Sequence, residues 1–393
     1  LRTYGSFDNV DAAFDDSFAG TDADNVSVSE QYRFGISPEF NYNNGSLAVN
    51  AAYNHIDRTI ESAFPSIFNG NSIVVDAFNR YNFNDQFYTV LGVNFQNNQM
   101  ESSTIPFGSN DFETSINSDE AHFTIVDPYL NVVYISDFGL NLNAGVRVNN
   151  HSQYGTNLVY NINPSYRTDL NFGYLKGLLS YSTAYITPSL FQLFEPGFGN
   201  PDLEPEENQT IEVGAELGFK GTGFISLVYF NRNEENFIDF VDTGNFVFQY
   251  QNIAEVFIAS GLEFVAQLRL NPVINLNANF TYTSVEEDLS LRIPKIMGNA
   301  RVDYLPFKNT IFSLSYEYNG DRTDSFFNDE TFENEIVTLD SFGLLDFYVS
   351  QKILGEKMTL FANITNIFNE DYQELFGFTT RGRNVHIGFS LQI

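Results

Sequence analysis

Apolar and polar residues alternate one by one through long stretches of this chain. In residues 210–219 one face carries Ile211, Val213, Ala215, Leu217 and Phe219, with threonine, glutamate and glycine between them. The same rhythm recurs at 138–149, 274–283, 312–319 and 385–393. Period-two alternation indicates a β-strand with two different faces, and no segment sustains the i, i+3, i+4, i+7 spacing of an amphipathic helix. One face of each strand must therefore meet an apolar phase and the other face water.

The length of these runs matches the thickness of a membrane. A tilted strand needs about 9–11 residues to cross a bilayer, whereas no run here approaches the roughly 18 apolar residues of a membrane helix. The mean hydropathy is only −0.20, which a barrel explains because every second residue faces a polar lumen. A soluble sandwich rarely has so many long strands, and the outer faces draw on 41 Phe and 22 Tyr. We predict an all-β, transmembrane, antiparallel up-and-down β-barrel.

Two kinds of connection alternate along the chain. Short turns are predicted at residues 43–45, 84–85, 136–137, 221–223, 271–272, 306–309 and 355–356. Longer polar segments are predicted at 11–25, 59–71, 99–118, 188–208, 286–294, 321–335 and 371–380. Tight periplasmic turns and long extracellular loops alternate in this way in outer-membrane barrels. We therefore predict one barrel domain over residues 1–393, with about eighteen strands, and interfacial aromatic girdles that include Phe138, Phe219 and Phe307.

The charge is strongly negative, with 19 Lys and Arg against 50 Asp and Glu. Nucleic acid is disfavoured as a partner, since phosphate binding needs a basic face. The acidic loops are either solvated charge, the favoured interpretation, or sites for Ca²⁺, although none has the spacing of an EF-hand. We expect no resident cofactor. The acidic clusters are Asp11, Asp15, Asp16, Asp22 and Asp24; Glu286, Glu287 and Asp288; and Asp321, Asp324, Asp329 and Glu330.

Enzyme signatures are weak. The four histidines are scattered singly, without the HxxxH or HxH spacing of a metal pair. Cysteine is absent, as is a G-x-S-x-G nucleophile elbow. We predict that the chain is not an enzyme and has neither catalytic residues nor a metal site. The alternative is an outer-membrane hydrolase, which would place a serine or a carboxylate beside His55, His122 or His151.

Four motifs in the second half of the chain resemble those of TonB-dependent outer-membrane receptors. The block 199–206, GNPDLEPE, is similar to the family's GNP-x-L-x-PE, and 185–190, YITPSL, is similar to its F-x-x-P-S/T-L. Residues 360–372 resemble the penultimate strand, V-x-N-L-F-D-K-x-Y, and 377–384 resemble the following loop. The arrangement looks closest to the vitamin B12 and siderophore receptors.

The resemblance implies a barrel of about 22 strands, plugged by an N-terminal domain. We therefore expect about four strands, the plug and the TonB-contacting segment to be missing before residue 1. The implied function is active import of a scarce bulky nutrient, such as an iron siderophore or cobalamin, across the bacterial outer membrane. The implied partners are the TonB complex, outer-membrane lipid and lipopolysaccharide, and a metal chelate or corrin ligand. The alternative is a passive porin or a surface adhesin scaffold.

Ionisable residues interrupt the polar faces of the predicted strands. If the alternation is correct they point into the lumen, where they either form a hydrated wall or pair with the plug, and we favour the plug. They are Arg147, Lys176, Glu212, Glu216, Arg269, Arg301, Asp303, Glu317, Asp346 and Lys352.

Aromatic residues on the long loops are the candidates for ligand capture. They give a large contact area at low entropic cost, which suits a bulky chelate; alternatively, they pack on each other and hold the loops together. They are Phe191, Phe194, Phe198, Phe326, Phe327, Phe332, Phe376 and Phe378. Arg381 and Arg383 have either a structural role or a role in binding an anionic ligand or a lipopolysaccharide phosphate.

Overall fold

Eighteen long antiparallel strands make up almost all of the molecule. The computed structural model describes residues 1–16, 21–244, 247–285, 291–328, 331 and 333–392. The long strands are β1 (Arg2–Asp16), β2 (Thr21–Ser37), β4 (Gly45–Glu61), β5 (Ser66–Asn82), β6 (Phe87–Thr104), β8 (His122–Ile135), β9 (Leu140–His151), β10 (Gly155–Leu170), β11 (Gly173–Ile186), β12 (Glu206–Phe219), β13 (Gly223–Glu235), β16 (Phe257–Asn271), β17 (Ile274–Val285), β18 (Ile296–Tyr304), β19 (Thr310–Asn319), β22 (Phe342–Ile353), β23 (Met358–Thr365) and β24 (Asn384–Leu391).

Six short strands and one short helix complete the described secondary structure. They are β3 (Glu39–Tyr42), β7 (Glu113–Ile116), β14 (Ile238–Asp242), β15 (Phe248–Asn252), β20 (Arg322–Asn328), β21 (Glu333–Leu339) and α1 (Leu190–Phe194). Pro38 separates β2 from β3 because it has no N–H to donate to the ladder, and both strands pair with β4. Within the described residues, no helix has the length and apolar character needed to cross a membrane.

Each long strand between β1 and β24 pairs with the long strand that precedes it and with the one that follows it. This is an up-and-down meander, and its eighteen long strands confirm the predicted number. The two ends of the sheet meet near the long-loop rim, where Thr379 donates from its backbone N and its hydroxyl to Asp15 Oδ2, at 2.9 and 2.7 Å. Between the described parts of β1 and β24 there is no ladder.

The outer face of the sheet is apolar and open, as the alternation predicts. Ile211 and Val213 of β12 are exposed, and so are Leu227 and Tyr229 of the neighbouring strand β13. Residues directly opposite each other in the register share a face, as Ala215 and Leu227 do. The apolar rows therefore form a continuous surface that faces away from the lumen, rather than a dry core between packed sheets.

The short turns lie along one rim of the sheet, which confirms their predicted positions. At residues 136–139, the positive φ of Gly139 (100°) suits glycine, and a Cβ on this residue would lie 2.0 Å from the carbonyl oxygen of Arg167. Phe138 and Phe307 are 64% and 71% exposed in their turns. Aromatic side chains at this level are typical of the interfacial girdle of a membrane barrel.

Two of the predicted long loops are wrong. In the segment 59–71, β4 continues to Glu61 and β5 begins at Ser66, and in the segment 11–25, β1 continues to Asp16 and β2 begins at Thr21. In both stretches polar and turn-forming residues interrupt the alternation, while the backbone ladder continues. A long connection that was not predicted, residues 236–256, contains the hairpin β14–β15.

Candidate functional site

The inner wall carries networks of paired polar side chains. On β18 and β19, Arg301 donates from Nε to Asp303 Oδ1 at 2.8 Å and from Nη2 to the Ser313 hydroxyl at 3.0 Å. Ser313 in turn donates to Asp303. The three groups satisfy one another, so the wall itself supplies the partners of Arg301 and Asp303.

A second network joins β5, β8 and β9. The Arg147 guanidinium lies 5.2 Å from the ring centroid of Tyr129 and 3.9 Å from Asp127 Oδ2. The Tyr129 hydroxyl donates to Asp76 Oδ1 at 3.0 Å. Arg147 is therefore held by a cation–π contact and a carboxylate of the wall.

Three further predicted wall residues also have partners within the chain. Glu216 accepts a hydrogen bond of 2.6 Å from the Tyr174 hydroxyl, and Asp346 accepts one of 2.8 Å from the backbone N–H of Asn366. Arg269 lies at the short-turn rim, where it donates to a turn carbonyl at 3.5 Å. These contacts support the hydrated-wall interpretation for part of the predicted set.

Four of the predicted wall residues remain, and three of them have no partner for their charge among the described residues. In the part of the chain that the structure describes, Lys176, Glu212 and Glu317 make no ion pair or side-chain hydrogen bond. Lys352 is exposed at the short-turn rim. Among the predicted wall residues, Lys176, Glu212 and Glu317 are thus those whose charges are left for another partner.

Three connections at the opposite rim form one unit, the first loop assembly, which consists of residues 105–121, 187–205 and 236–256. Helix α1 begins with a capping box, in which the Ser189 hydroxyl accepts from Gln192 N while Gln192 Oε1 accepts from Ser189 N. The helix buries Leu190 against Ile116 and Ala121 of the first connection. A five-residue helix is stable here because of this packing.

The GNP motif joins α1 to the hairpin β14–β15. Asn200 donates from Nδ2 to the Tyr250 carbonyl at 2.9 Å, and Tyr250 N donates to the Phe198 carbonyl at 3.1 Å. A Cβ on Gly199 would lie 2.5 Å from the carbonyl oxygen of Glu195, so only glycine fits this turn. The motif therefore fixes the hairpin against the loop.

Four aromatic rings gather on one face of this hairpin, which we call the aromatic face. The Phe240 ring centroid lies 5.3 Å from that of Phe198, 5.7 Å from that of Phe248 and 5.1 Å from that of Tyr250. Only Phe198 was among the predicted ligand residues. The alternation of Phe240, Phe248 and Tyr250 around the turn residues Asp242-Thr-Gly is the sequence signal that could have found them.

The second loop assembly consists of residues 291–295, 320–341 and 366–383. Asp324 of β20 accepts from Arg292 Nε at 2.7 Å and from Phe376 N at 2.9 Å. Arg322 donates to the carbonyls of Gln373 and Glu374. Its guanidinium lies over the ring of Phe342, 5.5 Å from the centroid. Asp324, which the acidic clusters included as a candidate Ca²⁺ ligand, is instead an internal ion-pair partner.

The predicted aromatic ligand residues fall into distinct environments. Phe191 and Phe194 pack on the buried cluster around Ile116, and the Phe326 and Phe376 rings stack at 4.3 Å. Phe198 is 45% exposed, and Phe378 is half-buried. Arg381 and Arg383 are exposed. The Phe327 side chain and the whole of Phe332 lie outside the described part.

Among the described residues, no three His, Cys, Asp or Glu side chains lie close enough together to hold a metal ion. The candidate Ca²⁺ residues Glu286, Glu287, Asp288, Asp329 and Glu330 lie outside the described residues, as do the side chains of Asp16 and Asp22. The interpretation of these acidic loops as Ca²⁺ sites stays a prediction.

In the described residues, none of His55, His122 and His151 has a side-chain hydrogen bond to a serine. Nδ1 of His55 contacts Asn71 Oδ1 at 2.8 Å, and its Nε2 contacts Asp57 Oδ2 at 2.9 Å. A carboxylate is therefore present, but both ring nitrogens are occupied by groups that are not hydroxyl nucleophiles. His151 is 5% exposed, and its Nδ1 accepts from Gln153 N.

An antiparallel meander with an apolar exterior, a polar inner wall and two loop assemblies at one rim has the features of a transmembrane β-barrel. Residues 2–367 match the family described as TonB dependent receptor-like, beta-barrel. The chain belongs to the TonB-dependent receptor family, and it is an outer-membrane protein. The family consists of receptors and transporters, which supports at family level the prediction that the chain is not an enzyme.

Relatives and solved structures agree with this assignment. The vitamin B12 transporter BtuB of Vibrio cholerae is 27% identical over 255 residues, which are 64% of this chain and 40% of that protein. The siderophore receptor PirA from Pseudomonas aeruginosa has a TM-score of 0.70 at 16% identity, covering 93% of this chain and 64% of that one. The copper transporter OprC has a TM-score of 0.69 at 13% identity, covering 92% and 64%. The chain thus spans less than two thirds of these proteins.

Proposed function

We propose that this chain forms the wall and the extracellular mouth of a receptor that imports a scarce, bulky nutrient in a TonB-dependent manner. An iron siderophore, cobalamin or a similar metal chelate or corrin is the proposed cargo class. The observation that carries this proposal is the pair of loop assemblies at one rim, which present exposed aromatic rings above a polar inner wall. Aromatic rings with a few polar groups suit the capture of a large organic ligand.

The lumen is proposed to hold a plug domain, with the 393 residues forming most of the barrel around it. Lys176, Glu212 and Glu317 carry the charges that would pair with it, because other wall charges, such as Arg301 and Asp346, already have partners. Charged groups that become buried between two domains need partners. The proposed receptor also includes about four further barrel strands and a segment that contacts the TonB complex.

Import would follow from these parts in sequence. Ligand binds to the loops and to the top of the plug, the plug signals occupancy to the periplasm, the TonB complex pulls on it, and the ligand passes along the wall. The apolar exterior suits outer-membrane lipid. The exposed Arg381 and Arg383 suit an anionic ligand group or a lipopolysaccharide phosphate.

The test is growth of a deletion strain on single iron or cobalamin sources, followed by binding of the candidate nutrient to the full-length protein. Transport by this receptor predicts that one source no longer supports growth, and that restoring the gene rescues growth only where TonB is present. Rescue without TonB would contradict the proposal and favour a passive porin. Binding without any growth defect would favour a surface adhesin or a ligand-binding scaffold.

A further inference from the structure

The first loop assembly has an extreme charge. Residues 105–121 contain four Asp or Glu, and residues 187–205 and 236–256 contain three each, while none of the three connections contains Lys, Arg or His. The basic residues of the loops lie instead in the second assembly, where Arg292 and Arg322 are engaged within the protein. The three connections of the assembly that carries the aromatic face are therefore acidic and contain no basic residue.

Two rings of the aromatic face are partly open to solvent. Phe198 and Phe240 are 45% and 41% exposed, and their planes meet at 84°. Two rings at a right angle form a corner, and the Phe248 and Tyr250 rings also pack against Phe240. The corner is fixed by the main-chain bond from Tyr250 N to the Phe198 carbonyl and by the side-chain bond from Asn200 Nδ2 to the Tyr250 carbonyl.

Two carboxylates stand beside this corner. Asp242 lies opposite Phe248 in the register of β14 and β15 and thus on the same face. Glu195 accepts from Gly197 N at 2.7 Å and from Phe198 N at 2.5 Å. Burial, followed by the charge of Glu195, raises the pKa of the Tyr250 phenol. Among the described residues, neither Asp242 nor Glu195 forms an ion pair.

We propose that the aromatic face binds the cationic group of an organic molecule, such as a tertiary or quaternary ammonium. The faces of aromatic rings attract cations through their quadrupoles, and unpaired carboxylates add to that attraction while they repel anions. This inference rests on the proposed receptor function and narrows its cargo to molecules that carry a positive charge next to apolar surface. The three connections of the first loop assembly offer no basic residue to a polyanionic chelate.

The experiment compares two probes with the same ring and opposite charges, benzyltrimethylammonium and benzenesulfonate. Each is titrated onto the full-length receptor in non-ionic detergent, and binding is followed by saturation-transfer NMR. We expect saturable binding of benzyltrimethylammonium only. Phe240→Ala should weaken it about five- to tenfold, since cation–π contacts at partly exposed sites are of this size.

Matched variants separate the aromatic face from general charge. Asp242→Asn removes a charge from this face but keeps an acceptor for Gly244 N, and it should weaken binding about two- to threefold. Asp239→Asn makes the same change on the opposite face of the hairpin and should have no effect. Phe107→Ala removes an exposed ring elsewhere in the first loop assembly, and it should also have no effect.

Equal binding of both probes, absence of saturable cation binding, or binding unchanged by Phe240→Ala would each overturn the inference. A heat-modifiability gel shows that every variant is folded. The outcome is independent of import, because probe binding is measured on purified protein. If the probes show no preference for the cation, the growth test of TonB-dependent import is unaffected. If growth proves independent of TonB, the measured binding of the cationic probe still stands.

Discussion

Asp324 Oδ1 lies 2.7 Å from Nε of Arg292, and the Asp324 side chain is only 1% exposed. The other carboxylate oxygen accepts from Phe376 N, so one buried residue joins three connections that are distant in sequence. Arg292 has a positive φ of 64°, a conformation that L-residues adopt only when their surroundings impose it. The second loop assembly is therefore a latched unit rather than a set of independent loops.

Replacing Asp324 with alanine should release this latch. The backbone N–H groups of Ser325 and Phe376 would lose their acceptor, and local stability should fall by about 3 kcal/mol. We expect amide hydrogen exchange at Ser325 and Phe376 to rise on the order of 100-fold. Asp321→Ala, in the same connection but exposed, serves as the control and should change neither rate; equal rates in Asp324→Ala and the wild type would contradict the latch.

The unpaired wall charges should matter for the plug and not for the barrel. We expect Glu212→Gln and Glu317→Gln to leave barrel unfolding within about 0.5 kcal/mol of wild type, as is usual for hydrated positions. In the full-length receptor, they should increase protease cleavage of the plug, because its partner charges are lost. The comparison variant is Ser315→Ala, also on the inner wall. If cleavage is unchanged in both glutamate variants, these residues do not contact the plug.

The Tyr154 phenol, at the long-loop rim, should make the folding stability depend on pH. Burial, with a smaller contribution from Tyr185, raises the pKa of the Tyr154 phenol to about 12. The folded state thus favours the neutral phenol, and this contribution to stability is complete below the unfolded value of about 10 and is lost as the pH rises through 12. The tyrosinate absorbance of wild type minus that of Tyr154→Phe should show one group titrating near 12; titration near 10 would contradict the burial of this ring.

The lipid-facing row should not tolerate charge. Leu227→Arg on the outer face of β13 is expected to reduce folding stability in vesicles by about 2–4 kcal/mol, because the charge enters the hydrocarbon region. Ser226→Arg adds the same side chain one residue away on the inner face and should cost less than about 1 kcal/mol. Unfolding by denaturant measures both variants, and a larger loss for Ser226→Arg would reverse the assignment of the two faces.

The barrel could be predicted from the sequence because its determinants are local. Strict alternation of residues such as Ile211 and Glu212 sets each strand and its two faces, and turn residues such as Gly139 set one rim. The strand number follows from counting these turns. Where strands continue above the membrane, polar and turn-forming residues break the alternation that distinguishes a strand from a loop, as they do between Thr59 and Asn71.

The mouth could be predicted only in part, because its geometry depends on contacts between distant segments. Phe191 and Phe198 look alike in the sequence, yet Phe191 packs against the cluster around Ile116 while Phe198 stays open. In the sequence, Asp324 is one member of an acidic cluster, because its partner Arg292 lies 32 residues away. Pairings of this kind are set by loop closure across the barrel, which single-residue patterns do not encode.

A membrane barrel requires a lipid-facing surface that is separate from a wetted interior. The chain contains no cysteine, so single cysteines in place of Ile211, Glu212, Val213, Ala215 and Glu216 can each carry a spin label. We predict that oxygen dissolved in the lipid relaxes labels at 211, 213 and 215 strongly and labels at 212 and 216 weakly. Uniform relaxation along this stretch of β12, or strong relaxation at 212 and 216, would contradict the barrel assignment.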